Sequence, residues 1–328
     1  MPTMAADLGR VEAELASSVV SADPYLTEIA SHLIAAGGKR VRPGFCIAAA
    51  ATNAEDRSFD AGAAGAHIDI VRAAVSVELV HLGSLYHDDV MDDAITRRNV
   101  ESVNAKWGNL KAILAGDFLL ARASEIASSL GVEVAGLLAS TIARLCEGQV
   151  LELRYTYDVD RTEADYFSSI DGKTAALLAT ACRIGGIVAE LPQSQTDALT
   201  TFGSAYGMAF QIVDDVLDLV ATAEELGKPS GHDMLEGVYT LPVLRTLQSD
   251  VGDELRPLLT DHMTDEDLAK AVALVKGAGW IQGAIDEARK FADTAVAAIG
   301  SLPESMGVQG LSAAAAHLVD SVEALAAR

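Results

Sequence analysis

The sequence predicts an all-α protein, folded as a single bundle over residues 1–328. Three observations carry this expectation. Apolar residues recur at helical spacing in long segments, separated by glycine, proline and polar links. No segment alternates apolar and polar residues as a half-buried strand does, and no glycine-rich phosphate loop follows a strand. Alanine and leucine dominate while aromatic residues make up only 5%, a composition that favours helix. With 328 residues, 50% of them hydrophobic, the chain can bury a large core of small and medium side chains.

The formal net charge is −23. Nucleic-acid binding is therefore not expected, because a phosphate backbone requires basic surface. An anionic substrate needs a local basic patch or metal ions to approach. Cys46, Cys146 and Cys182 are scattered without metal-like spacing, which fits buried, reduced thiols in a reducing compartment. The acidic N-terminus has no apolar core of a secretory signal, and no uncharged apolar run reaches the length of a membrane span. The expectation is a cytoplasmic protein without a transmembrane segment.

The elements follow in order. Residues 5–20 and 25–36 read as amphipathic helices, the second ended by Gly37-Gly38. Lys39-Arg40-Val41-Arg42-Pro43 comes next, the densest basic cluster in an acidic chain, with Pro43 where a new helix can begin. Glycines, three cations and a helix start suit a diphosphate; a capped helix followed by a solvated basic loop fits the same residues. An alanine-rich helix covers 44–53. A long apolar helix over 62–91 delivers Asp88, Asp89 and Asp92. Arg97-Arg98-Asn99 is a turn, since asparagine tolerates left-handed geometry. Helices follow over 110–130 and 133–154, broken at Gly131. Thr162 caps a helix from 164 to about 190, with Asp165 three residues on. Gly172 within it marks a kink that aims Lys173 inward, although a lysine snorkelling to solvent fits equally. Residues 195–221 carry Gln211, Asp214, Asp215 and Asp218. A loop bearing Lys228 and Asp233 leads to several shorter helices over 240–328, with a cap signal at Thr264.

The chemistry lies in the two aspartate triplets. Asp88 and Asp92 share one helix face, with His81 and Ser84 on or near it. Carboxylates bunched on an apolar helix repel, and a hard divalent cation explains them: Mg²⁺ takes oxygen ligands, often one or two carboxylates plus substrate phosphates. The repeated spacing at Asp214, Asp215 and Asp218 suggests the facing wall of one metal-filled cavity. Apolar helix faces imply that the rest of the substrate is apolar. There is no Ser-His-Asp arrangement, and His81 and His87 fit either bases or core and anion-binding histidines. The simplest chemistry is loss of a stabilised diphosphate in a water-excluding cavity.

Six ordered stretches now carry a resemblance: GGKRVRP at 37–43, HDDVMDDAITRR at 87–98, GDFLLARA at 116–123, KTA at 173–175, QIVDDVLDL at 211–219, and GKPSGHDMLEG with TLP at 227–242. The chain resembles the all-trans polyprenyl (isoprenyl) diphosphate synthases. The resemblance implies a bundle of long antiparallel helices around a central cavity, usually as a homodimer, with transient membrane contact for product release. It implies condensation of isopentenyl diphosphate with an allylic diphosphate, assisted by Mg²⁺, three ions with substrate bound. The six aspartates would hold the metal. Arg97, Lys173, Thr174, Gln211 and Lys228 would surround the allylic diphosphate. Lys39, Arg42, His81 and Arg98 would bind isopentenyl diphosphate, with Arg40 close by. One departure is Val238, where many relatives carry lysine.

In such enzymes the product grows along the helix of the first aspartates, at about 5.4 Å per turn. Gly83 and Ser84, one turn before Asp88, are small, which points to a C30–C50 product. A floor near Phe118 would stop growth at C20. Alternatives are a geranylgeranyl or farnesyl diphosphate synthase, a class I terpene cyclase, or a non-catalytic partner subunit. The cyclase would not need the basic cluster, and silent subunits usually lose an aspartate motif that this chain keeps.

Overall fold

The computed structural model describes residues 1–56, 58–60, 62, 64–222 and 230–326. The regular secondary structure of the described residues is almost wholly helical. They cluster into two compact units: residues 1–142, 177–203 and 299–311, and residues 143–176, 204–298 and 312–328.

In the first unit, α1 (Met4–Ser18), α2 (Pro24–Ala35) and α3 (Val41–Ala50) lead to α4 (Ile68–Met91). Asp23 caps α2 through the Tyr25 amide, with Pro24 in the first turn, where its missing N–H costs nothing. Helix α3 begins earlier than the alanine run suggests, at Val41, with Arg40 at its N-cap. Helix α4 packs against α1, α3 and α6 (Asn109–Ser129). It is buried on nearly all sides from Ile70 to Tyr86, as a helix apolar all round must be. The fully buried Tyr86 hydroxyl donates to the Ile29 carbonyl at 2.8 Å, so burial costs no unpaired polar group.

The Arg97–Asn99 turn is present, and it closes a small antiparallel hairpin the sequence pattern did not show. Strand β1 (Thr96–Arg97) pairs with β2 (Val100–Glu101). Arg98 and Asn99 both have positive φ, the pairing a tight hairpin turn needs. A two-residue strand is too short to produce a readable alternation. The short helix α5 (Val103–Trp107) was also below the length that periodicity resolves.

Helix α7 (Val132–Arg154) matches expectation at both ends. It qualifies the expectation of no transmembrane segment. Among the described residues it is the one helix long and apolar enough to cross a membrane by length and composition; its few charges hid it from a search for uncharged runs. Val132, Val150 and Leu153 are exposed on it, as are Leu110 and Leu114 on α6. Cys146 also lies exposed on α7, whereas Cys46 and Cys182 are buried. The expectation of three buried thiols therefore holds for two. Burial pushes the Cys46 thiol up to about 12.

In the second unit, Thr162 and Asp165 form a reciprocal capping box at α8 (Glu163–Ile170). The kink at Gly172 is a π turn, Asp171–Ala175, before α9 (Ala176–Val188), which from Leu177 on belongs to the first unit. Its cause is local: a Cβ on Gly148 of α7 would lie 2.4 Å from the Lys173 amide nitrogen, so the backbones meet where only glycine fits. Next come α10 (Gln193–Val220), which belongs to the second unit from Ser204 on, then α11 (His232–Leu235), α12 (Leu241–Leu247) and α13 (Gly252–Leu255). Thr264 and Asp267 box the start of α14 (Asp265–Gly277). The C-terminal part is not made of short helices alone, since α15 (Trp280–Ile299) and α16 (Met306–Ala326) have 20 and 21 residues.

Helix α7 supplies a paired test. Gly136 has nothing within 4 Å of an added Cβ, so Gly136→Ala should stabilise by about 1 kcal/mol through helix propensity. Gly148→Ala should instead destabilise by about 1–3 kcal/mol through overpacking. Urea denaturation of both variants checks the opposite signs. Alkylation with mass spectrometry should label Cys146 in the native protein, and Cys46 and Cys182 only after unfolding.

Candidate active site

The basic loop is built around one buried carboxylate. Glu78 is 2% exposed on α4, and its Oε1 accepts from Arg40 Nη1 at 2.8 Å. Arg40 also donates to both Glu12 oxygens, at 2.6 and 3.0 Å, and to the Ile34 carbonyl. Burial opposes its charge, but the Glu12 hydrogen bond and the Glu78 carboxylate outweigh that and raise its pKa. This corrects the expectation that Arg40 stands by the substrate: its guanidinium is buried and fully engaged in tying α1, α2 and α4 together.

Arg98 lies 3.8 Å from Glu78 and donates to the Leu33 carbonyl at 3.1 Å and to the Gly37 carbonyl. It thus grips the loop at the end of α2, while Gly38 offers no Cβ to collide with its guanidinium. Lys39 is exposed, and Arg42 is half-buried with its Nε unpartnered among the described residues. Burial lowers the Arg42 pKa against the pull of Glu78. His81 is held well below its usual range, first by burial and then by the charges of Arg42, Arg98, Arg40 and Arg97. Four guanidinium groups acting on one imidazole make a locally positive field that favours an anion.

At the end of α4 the first triplet divides. Asp88 is half-buried and Asp92 exposed. Asp89 is fully buried, and its Oδ1 accepts from Arg97 Nε at 2.7 Å. Burial raises the Asp89 pKa, opposed by the Arg97 charge. Its Oδ2 is buried without a partner among the described residues. Arg97 is therefore committed in part to Asp89, through its Nε.

The second triplet divides similarly. Asp214 is exposed, while Asp215 and Asp218 are each 4% exposed. Asp215 Oδ2 accepts from the Tyr166 hydroxyl at 2.5 Å, and Oδ1 from Gln211 Nε2 at 2.8 Å. Thr174 donates in turn to Gln211 Oε1 at 2.7 Å. Burial, then the Asp233 charge, lifts the Asp215 pKa well above the carboxylate range. Thr174 and Gln211, expected around the allylic substrate, form a hydrogen-bond chain that reaches Asp215. Asp218 Oδ2 accepts from the Asp233 amide at 3.3 Å. Lys173 pairs with Glu152 of α7. Lys228 lies outside the described residues.

The donors present are hard carboxylate oxygens, the kind Mg²⁺ takes. Among the described residues no three His, Cys, Asp or Glu side chains close around an ion. That suits a cation completed by water and substrate phosphates. Gly83, expected as a floor residue, is buried against α6, where a Cβ would sit 3.1 Å from the Gly116 carbonyl oxygen and from Leu120. Its size serves helix approach. Ser84 is half-buried and donates to the His81 carbonyl at 2.9 Å.

Sequence reasoning missed Glu78, Glu12, Tyr166 and Glu152. Glu78 was findable, as a lone acid inside an apolar helix calls for a cation. The other three are recognisable only through their distant partners.

Fold and site define a helical enzyme equipped for diphosphate groups and divalent cations. The chain belongs to the polyprenyl synthetase family, whose model matches residues 23–275, and it is a trans-prenyltransferase. It is 37% identical over 312 residues to a nonaprenyl diphosphate synthase of Mycobacterium tuberculosis, covering 94% of this chain and 90% of that one. It is 36% identical to heptaprenyl diphosphate synthase component 2 of Geobacillus stearothermophilus, covering 90% of each. A geranylgeranyl pyrophosphate synthase of Corynebacterium glutamicum, solved with calcium and isoprenyl diphosphate, superposes with a TM-score of 0.83 at 39% identity, covering 97% of this chain and 96% of that one.

Tyr166→Phe removes one of two side-chain donors to the buried Asp215. It should cost about 1–3 kcal/mol, the penalty for leaving a buried acceptor short of a partner. An unchanged urea midpoint would count against this hydrogen bond.

Proposed function

We propose that this protein condenses isopentenyl diphosphate with an allylic diphosphate to give an all-trans polyprenyl diphosphate of C30–C50. The observation that carries the proposal is the division of charge in the first unit. Lys39 and Arg42 lie on or beside the basic loop, with the Arg42 charge acting on His81 of α4, while Asp88 and Asp92 present carboxylates at the end of that helix. Lys39, Arg42, His81 and Arg98 receive the isopentenyl diphosphate. Asp88 and Asp92 hold Mg²⁺ on the allylic diphosphate, and Arg97 adds positive charge. The same chemistry is proposed for Asp214 and Asp218, with Asp89 and Asp215 fixing their neighbours from the buried side. Lys173 and Lys228 are assigned to the allylic diphosphate. The aspartates would hold Mg²⁺, three ions in this reading, which would supply neutralisation of the departing diphosphate's charge. The apolar wall of α4 keeps water from the allylic cation, and the released diphosphate takes the final proton.

The chain length rests on Ser84, one turn before Asp88, and on the long-chain names of the similar proteins from Mycobacterium tuberculosis and Geobacillus stearothermophilus. A C20 product is the second reading, favoured by the likeness to the Corynebacterium glutamicum enzyme. The exposed apolar residues of α6 and α7 suit a homodimer. The proposed setting is the cytoplasm, with transient membrane contact as the product leaves.

The test is to incubate purified protein with Mg²⁺, labelled isopentenyl diphosphate and C5 to C20 allylic starters, then size the products. Chains of C30–C50 are expected. No elongation with any starter would remove the proposal, and a C20 limit would select the second reading. Ser84→Phe should shorten the product by several isoprene units, and an unchanged distribution would sink the role of Ser84. Omission of Mg²⁺ should abolish turnover.

A further inference from the structure

We infer that Glu78 is a positioning residue for the isopentenyl diphosphate subsite, acting through Arg98 and Arg40 on the loop that carries Lys39 and Arg42. The inference rests on the functional reading above. Three features lead to it.

First, Glu78 is an isolated buried acid. It sits 2% exposed within the run from Ile70 to Tyr86 that packs α4 into the core. A charge placed there carries a large desolvation cost unless it is paired.

Second, its two partners tie down the loop from opposite sides. Arg98 reaches from the hairpin turn to the Leu33 and Gly37 carbonyls at the end of α2. Arg40 reaches the Ile34 carbonyl and forms the N-cap of α3 in a left-handed conformation, φ 47°. Residues 37–40 are thus held at both ends by guanidinium groups that converge on one carboxylate. Lys39 lies inside this span, and Arg42 lies in the first turn of α3 beyond it.

Third, the cluster is heavily cationic. Arg40, Arg42, Arg97 and Arg98 all act on His81. Glu78 is the buried negative charge among Arg40, Arg42 and Arg98. It allows the cations to assemble before any anion arrives. That is preorganisation, which lowers the ordering cost of binding.

Removing the Glu78 charge should therefore release Arg98 and loosen the loop. The donor subsite should suffer, and the aspartate end of α4 should not.

The test measures isopentenyl diphosphate affinity by titration calorimetry without metal, and KM for both substrates in the full assay. Glu78→Gln should weaken isopentenyl diphosphate binding about tenfold, the loss of roughly one charge-assisted contact. KM for the allylic diphosphate should stay within about twofold. Thr264→Ala, which removes a distant helix cap, serves as a control for lowered stability and should leave both KM values unchanged. If Glu78→Gln does not fold, Glu78→Asp keeps the charge on a shorter arm and should show the same selective shift at smaller size. Undiminished donor affinity, or equal shifts for both substrates, would overturn the inference. Absence of isopentenyl diphosphate binding by the unmodified protein would overturn the functional reading itself.

Discussion

Every charge that α4 carries into the interior must be met there. Glu78 is met by Arg40 and Arg98, and Asp89 by Arg97. The requirement follows from the helix itself, which is buried almost all round and offers water no access to those carboxylates. Pairing then fixes more than charge. Because the cations come from the basic loop and the hairpin, each pairing also sets where a loop lies. The site is assembled as a consequence of neutralising the core.

The second unit solves the same problem differently. Among the described residues no cation is bonded to Asp215. It is held by neutral donors, Tyr166 and Gln211, and its pKa rises well above the carboxylate range. Burial raises both carboxyls; at Asp89 the Arg97 charge opposes it, whereas at Asp215 the Asp233 charge adds to it and the Tyr166 and Gln211 hydrogen bonds only partly offset it. The second aspartates of the two triplets thus share a sequence position and a buried location, but not an electrostatic environment. Helix geometry accounts for the common part. At about 100° per residue, positions i and i+4 share a face and position i+1 turns away from it.

The fold was legible because its elements are long and strongly patterned. The ends of α6, α7 and α10 and both threonine capping boxes fall where the sequence placed them, since caps and periodicity are local. The two-residue strands fall below any period. The residue types of the candidate site were legible as well. Their division of labour was not. Arg40 looks like its neighbours Lys39 and Arg42 in the sequence, and only Glu12 and Glu78, 28 and 38 residues away, withdraw it from solvent. Gln211 shares a face with Asp214, yet Thr174 and Asp215 occupy its amide. Gly83 looks like open space until Gly116 and Leu120 of α6 are placed beside it.

Arg40 also carries a cost in its backbone. A left-handed conformation at a non-glycine residue costs roughly 1–2 kcal/mol, and Arg40 holds φ 47° at the start of α3. Glycine would relieve that torsion but discard the guanidinium that joins three helices. Lysine would keep a charge but lose the planar fork that engages Glu12 and Glu78 together. Neither neighbouring state is a comfortable halfway point. The position is a ratchet: once core and loop came to depend on it, single-residue change could only go downhill.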